Sequence, residues 1–207
     1  MRLFRRSAAG RAVEPVDALL VGLGNPGPRY AGTRHNVGFE VAGELIERWE
    51  LAKPKKRFGG LISSGRLGPG GPRVAVLLPQ TFMNESGRAA GPARGSFGLP
   101  PERVIALHDE IDIPFGEVRV KEGGGVAGHN GLKSLEQGLG SRDFRRVRIG
   151  VGRPDSTDPE TVSRWVLGRF NEGRERVRDL IEVAASESER LIEGLEETEK
   201  EEEEEEA

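Results

Sequence analysis

The chain has 207 residues, 35% of them hydrophobic and 5% aromatic, which is long enough for one domain that buries most of its apolar surface. It has no cysteine, which excludes disulfides, thiolate nucleophiles and Cys-based zinc sites, and no apolar run approaches the roughly 18 residues of a membrane span. The net charge of −3 is unevenly spread: residues 193–207 hold ten Glu and one Lys, leaving +6 on residues 1–192. A polyanion-binding body with an acidic tail and an ordinary charged surface both fit that balance.

Residues 1–16 read as a basic flexible leader, with Arg2, Arg5, Arg6 and Arg11 and no apolar stretch of a signal peptide behind them. A cytoplasmic location is the default expectation. The folded domain is expected over 17–192. Residues 18–21 (Ala-Leu-Leu-Val) form a short buried strand, followed by a polar Gly/Pro loop over 24–36. Val37, Val41 and Leu45 recur every four residues, predicting an amphipathic helix over 37–50. Residues 58–67 and 73–78 read as a hairpin around the Gly/Pro turn 68–72, and a helix is expected over 85–97.

Val104 to Leu107 is a further buried strand, running into His108-Asp109-Glu110. Residues 116–121 alternate, with Val118 and Val120 inward and Glu117, Arg119 and Lys121 outward. A Gly-rich loop, 123–128, leads to a helix over 130–139. Residues 145–151 alternate again, with Val147, Ile149 and Val151 inward and Arg146 and Arg148 outward. A last helix is expected over 172–193, and the glutamates of 193–207 should repel one another into a disordered tail. The expected fold is α/β: a single three-layer domain whose mixed, mostly parallel sheet is flanked by helices. The 30 glycines are about twice the usual share and fall in short loops, where a backbone could approach a ligand.

Two glycine motifs do not carry the chemistry they suggest. Gly22-Leu-Gly24-Asn-Pro-Gly27 fits G-x-G-x-x-G after a strand, but dinucleotide binding needs a helix to open inside the motif. Pro26 and Pro28 lack N–H groups, and the helical pattern starts only at Val37. Gly123 to Gly125 lacks the Lys-Ser/Thr of a phosphate loop, and Ser86 is not in a nucleophile elbow.

The three histidines each sit beside an amide or an acid: His35-Asn36, His108-Asp109 and His129-Asn130. His35 ends a strand-following loop and Asp109 ends a strand, so both can occupy one rim of an open sheet. If they meet, Asp109 fixes the imidazole tautomer and raises its basicity, and His35 can take a proton from water. The amides of Asn25, Asn84 and Asn130 can both donate to a carbonyl oxygen and accept from a peptide N–H. Such a set suits hydrolysis of an activated carbonyl such as an ester. A metal bound by the three histidines and Asp109 is the competing arrangement, though no ligand spacing of the H-E-x-x-H kind supports it.

Six segments, in order, resemble the bacterial peptidyl-tRNA hydrolase family: residues 21–27, Tyr30 with 33–38, 81–87, 108–112, 128–133 and 148–152. The resemblance implies a monomeric α/β enzyme that cleaves the ester between a peptide and tRNA without metal or cofactor, and has no membrane partner. It implies His35 as catalytic base, Asp109 as its orienting acid and Asn25 as an active-site amide. Tyr30, Asn36, Met83, Asn84, His129 and Asn130 are implied to bind substrate, and Lys121 with Arg148 the tRNA 5′ phosphate. Arg142, Arg145, Arg146 and Lys133 could extend that patch. Val126 and Ala127 depart from the family, which has Gly and often His there. The alternative is a non-catalytic RNA-binding relative of the same fold.

Overall fold

In a computed structural model of the chain, residues 14–126 and 128–205 are described, with side chains described as far as Leu195. The expected leader lies largely outside these residues; Val16, at its end, is already buried in the core. The strands are β1 (Ala18–Gly22), β2 (Lys55–Arg57), β3 (Gly60–Arg66), β4 (Arg73–Pro79), β5 (Val104–Glu110), β6 (Val118–Glu122) and β7 (Arg145–Gly150). They form one sheet in the order β2-β3-β4-β1-β5-β7-β6. β4, β1, β5 and β7 are mutually parallel, and the three remaining pairings are antiparallel. Parallel pairing therefore makes up the centre of the sheet and antiparallel pairing its two margins.

The central strands are apolar on both faces because helices cover both. On one face α1 (Val37–Arg48) and α5 (Arg174–Glu205) bury Val41, Leu45, Leu180 and Ala184 against Leu20, Ile105 and Ile149. On the other, α2 (Gly87–Phe97) and α3 (Asn130–Leu139) bury Ala90, Ala93, Leu132 and Leu135 against Leu19, Val21 and Ala106. α2 and α3 touch backbone to backbone: a Cβ on Gly87 would collide with the carbonyl of Ser134, and one on Gly138 with the carbonyl of Gly87. These glycines serve helix packing rather than ligand approach.

Four expectations change. β2 is an added edge strand, missed because its Lys-Lys-Arg has no apolar alternation. Its two-residue turn to β3, Phe58-Gly59, has both residues at positive φ, which Asn-Gly would have signalled and Phe-Gly does not. A helix, α4 (Pro159–Val166), stands in a stretch for which no element was expected. Its start was legible in Asp158, whose carboxylate caps the Thr161 N–H at 2.8 Å, and in Pro159 at the first helical position. The helix of α5 runs on through the glutamates to Glu205; no proline interrupts it, and Glu is a good helix former, so the composition that suggested disorder is also compatible with a helix. Val120 is exposed, because β6 is the edge strand and only part of it is covered.

Candidate active site

β1, β4, β5 and β7 end at one edge of the sheet. β1 leads into α1 on one face, whereas its neighbour β4 leads into α2 on the other, which opens a crevice beyond the strand ends. A cavity of about 620 Å³ lies there. Asn25 and Tyr30 come to it from the loop after β1, Met83 and Asn84 from the turn after β4, and Asp109 from β5. Lys121, His129, Asn130 and Arg148 line it as well.

His35 sits in a 3-10 turn, Arg34–Asn36, that opens α1. The turn is held against β5 because Gly38 lets the first helical residues lie on the strand; a Cβ there would strike the Leu107 carbonyl and come within 2.7 Å of the Leu23 nitrogen. His35 Nδ1 then lies 2.9 and 3.1 Å from the two carboxylate oxygens of Asp109. Its Nε2 has no protein partner among the described residues, and the ring lines the cavity. Burial pushes the His35 pKa down, but the charge and hydrogen bond of Asp109 outweigh it and the net shift is upward. Asp109 is itself buried, which alone would favour its neutral form. The imidazoles of His35 and His129 reverse this and hold its carboxyl well below the usual carboxylate range.

His129 is the partner that sequence reasoning did not give to Asp109. Its Nδ1 accepts the N–H groups of Gly131 and Leu132 at 3.1 and 3.3 Å, capping α3. The proton must then sit on Nε2, which donates to Asp109 Oδ1 over 3.0 Å. Asp109 is thus fixed by two N–H donors. His108, expected only as a neighbour, is buried; its Nδ1–H donates to the Asp109 carbonyl at 2.8 Å. Burial and the adjacent His129 push its pKa down to about 3, so it is neutral. One oxygen of Asp109, with His35 and His129, offers three ligand atoms within 4.8 Å of one another, a grouping that could hold a metal ion.

Asn25 is buried, and its side-chain oxygen accepts the Met83 N–H at 2.8 Å, which turns its NH₂ away from that contact. Asn36 does not line the cavity. Its amide is engaged with the backbone of Asn25, accepting from the N–H and donating to the carbonyl, both at 2.9 Å. It positions Asn25 rather than presenting itself to a ligand. Asn84 and Asn130 are exposed at the rim.

The basic side of the cleft also differs from expectation. Arg146 lies on the same face of β7 as Arg148 but is buried under the Gly-rich loop, which it anchors by donating to the carbonyls of Gly124 and Gly125. Arg142 and Arg145 are paired with Glu136 and Glu122. Arg148 lines the cavity and is held by buried Glu110 through Nε and Nη2, at 3.1 and 3.0 Å. Glu110 carried no sequence signal for this role. Lys121 is exposed and lies opposite Arg146 in the β6–β7 register. Val126 lines the cavity; Ala127 lies outside the described residues.

The model of the family described as peptidyl-tRNA hydrolase matches residues 19–207. The chain belongs to the peptidyl-tRNA hydrolase family. A relative named peptidyl-tRNA hydrolase from Mycolicibacterium gilvum is 49% identical over 183 residues, covering 87% of this chain and 92% of its own. A crystal structure of peptidyl-tRNA hydrolase from Acinetobacter baumannii superposes with a TM-score of 0.72 at 32% identity, covering 88% of this chain and 96% of that one. An Arg119Gln mutant of the Acinetobacter baumannii protein gives 0.71 at 37%, over 84% and 86%. Family membership accounts for the six ordered segments, which converge on this cleft.

Proposed function

We propose that the chain hydrolyses the ester joining a peptide, or an N-blocked aminoacyl group, to the 3′ end of tRNA. The observation that carries the reading is the His35–Asp109 pair at 2.9 Å at the base of a cavity lined by amides, in a chain of this family. His35 Nδ1–H donates to Asp109, leaving Nε2 to take a proton from water. The hydroxide oxygen bonds to the ester carbon, and the carbonyl becomes an oxyanion towards which the NH₂ of Asn25 can donate. Collapse breaks the bond to the ribose oxygen, which takes the proton back from His35. The products are a peptide acid and tRNA with a free terminal hydroxyl.

Met83, Asn84, Asn130 and Tyr30 hold the acyl part, with Asn36 and His129 fixing Asn25 and Asp109 from behind. Lys121 and Arg148 take the 5′ phosphate, Arg148 with its guanidinium plane set by Glu110. These contacts read the end and shape of the RNA rather than its sequence. The family resemblance implies a monomer as the working unit. No helix among the described residues is long and apolar enough to cross a membrane. We place the enzyme in the cytoplasm, where peptidyl-tRNA forms.

The test compares N-acetyl-aminoacyl-tRNA with free aminoacyl-tRNA, in EDTA, with and without the 5′ phosphate. Rapid cleavage of the acylated substrate alone is expected. Removing the phosphate should lower kcat/KM by about 10- to 100-fold for a lost charge-assisted contact, and by less in Arg148→Ala, which keeps only the Lys121 contact. Cleavage that EDTA stops would favour a metal on His35, Asp109 and His129. RNA binding without cleavage would favour a non-catalytic RNA-binding protein.

A further inference from the structure

α4 forms one wall of the cleft, yet none of its residues is buried. Pro159, Val162, Ser163 and Val166 recur at three- and four-residue spacing and turn towards the cavity, and Leu167, 42% exposed, extends that face. The apolar stripe that would ordinarily fix a helix to a core thus faces ligand space, and something else must hold α4 in place.

That role falls to Arg34, the residue before His35. Arg34 is 2% exposed, and its guanidinium carbon lies 3.9 Å from the ring centre of Trp165 and 5.4 Å from that of Phe170. Nη1 donates to the Arg169 carbonyl at 2.7 Å; Nη2 donates to the side chains of Asn171 and Glu172. The Arg34 backbone N–H donates to the Gly168 carbonyl at 3.0 Å, and Thr33 forms an antiparallel bridge with Arg169. Trp165 is tied in turn by its Nε1–H to the Gly152 carbonyl at 2.8 Å, just beyond β7. The main contact of α4 with any other element is the 3-10 turn that carries His35. One cationic side chain therefore connects the turn bearing His35 with the wall that an acyl group would meet.

The geometry points to Arg34 as a positioning residue that sets the distance between α4 and His35, and so the fit of the acyl part of the substrate. The inference rests on the hydrolase reading for its kinetic consequence, though not for the anchoring itself. Lysine keeps the charge but has neither the planar face for Trp165 nor the fork that spans Arg169, Asn171 and Glu172. Loosening α4 weakens binding in the ground state and the transition state alike, so the loss belongs in KM rather than kcat.

Arg34→Lys and Trp165→Leu should each raise KM for N-acetyl-phenylalanyl-tRNA at least fivefold, with kcat within twofold of wild type. The double variant should be no worse than the more affected single one, because both break the same link. In a Trp49→Phe background, where Trp165 is the one remaining tryptophan, Arg34→Lys should at least double the acrylamide quenching of its fluorescence. Multiplicative effects of the two substitutions, a fall in kcat at unchanged KM, or a wild-type KM in Trp165→Leu would overturn the proposal. Trp165→Leu keeps the kinetic test open if Arg34→Lys does not fold, since α4 contributes nothing to the core. If the wild type cleaves no N-acylated tRNA, the hydrolase reading fails, and unchanged quenching alone would refute the anchor.

Discussion

At the scale of the residue, the proposed mechanism depends on one buried carboxylate with two imidazole neighbours. Asp109 receives N–H groups from His35 and His129, and the backbone amides on His129 Nδ1 decide which of its nitrogens carries the proton. As the proposed base, His35 can take a proton only when neutral, and Asp109 raises its pKa above the ordinary 6.5. The rate should accordingly rise with pH through a midpoint above 6.5. In Asp109→Asn the charge is gone and burial is left to act alone, so the midpoint of the residual activity should move down. An Asn amide can also donate to His35 Nδ1 and place the proton on the wrong nitrogen. The rate should fall by about 10⁴-fold, the size of the corresponding loss in a Ser-His-Asp triad. A pH–rate profile of both proteins checks the two effects together; a midpoint that stays put in the variant would remove Asp109 from the account.

At the scale of the element, the periodic segments were legible in the sequence and the exceptions have identifiable causes. α1, α3 and the buried strands β1, β4 and β5 follow from apolar spacing, because their side chains meet a core. β2 and α4 do not meet one: the first is a cationic edge strand, the second turns its apolar residues to a cleft. Arg146 was misread because strand alternation says which face a side chain takes, not whether a loop then covers it. His35, Asp109 and Asn25 were readable from their places at strand ends, and more firmly from the family resemblance. The roles of His129, Asn36, Glu110 and Arg34 depend on partners 11 to 138 residues away, which no local pattern records. Helix contact also makes a prediction. Gly87→Ala pushes a methyl into the α3 backbone, which neither helix can relieve by a rotamer change. It should cost about 1–3 kcal/mol, lowering Tm by roughly 2–4 °C per kcal/mol in a chain of this size. Thermal unfolding checks it, and an unchanged Tm would mean that the helices separate freely.

At the scale of the whole molecule, one edge of the sheet gathers the groups proposed to carry the reaction. The parallel centre brings the loops after β1, β4 and β5 to a common rim, and the antiparallel β6–β7 pair adds Lys121 and Arg148 beside it. The remaining wall comes from α4, outside the core. A basic body of +6 over residues 1–192 suits a polyanionic substrate, so binding should depend on the tRNA more than on the peptide. Binding and cleavage should therefore be separable, since the proposed phosphate contacts and the proposed base lie on different strands and loops. The most direct test is single-turnover cleavage of N-acetyl-aminoacyl-tRNA by wild type and His35→Ala, with tRNA affinity measured on the same preparations. Loss of cleavage in His35→Ala, with affinity within about twofold of wild type, is the expected result; an undiminished cleavage rate would contradict the assignment of His35 as the base.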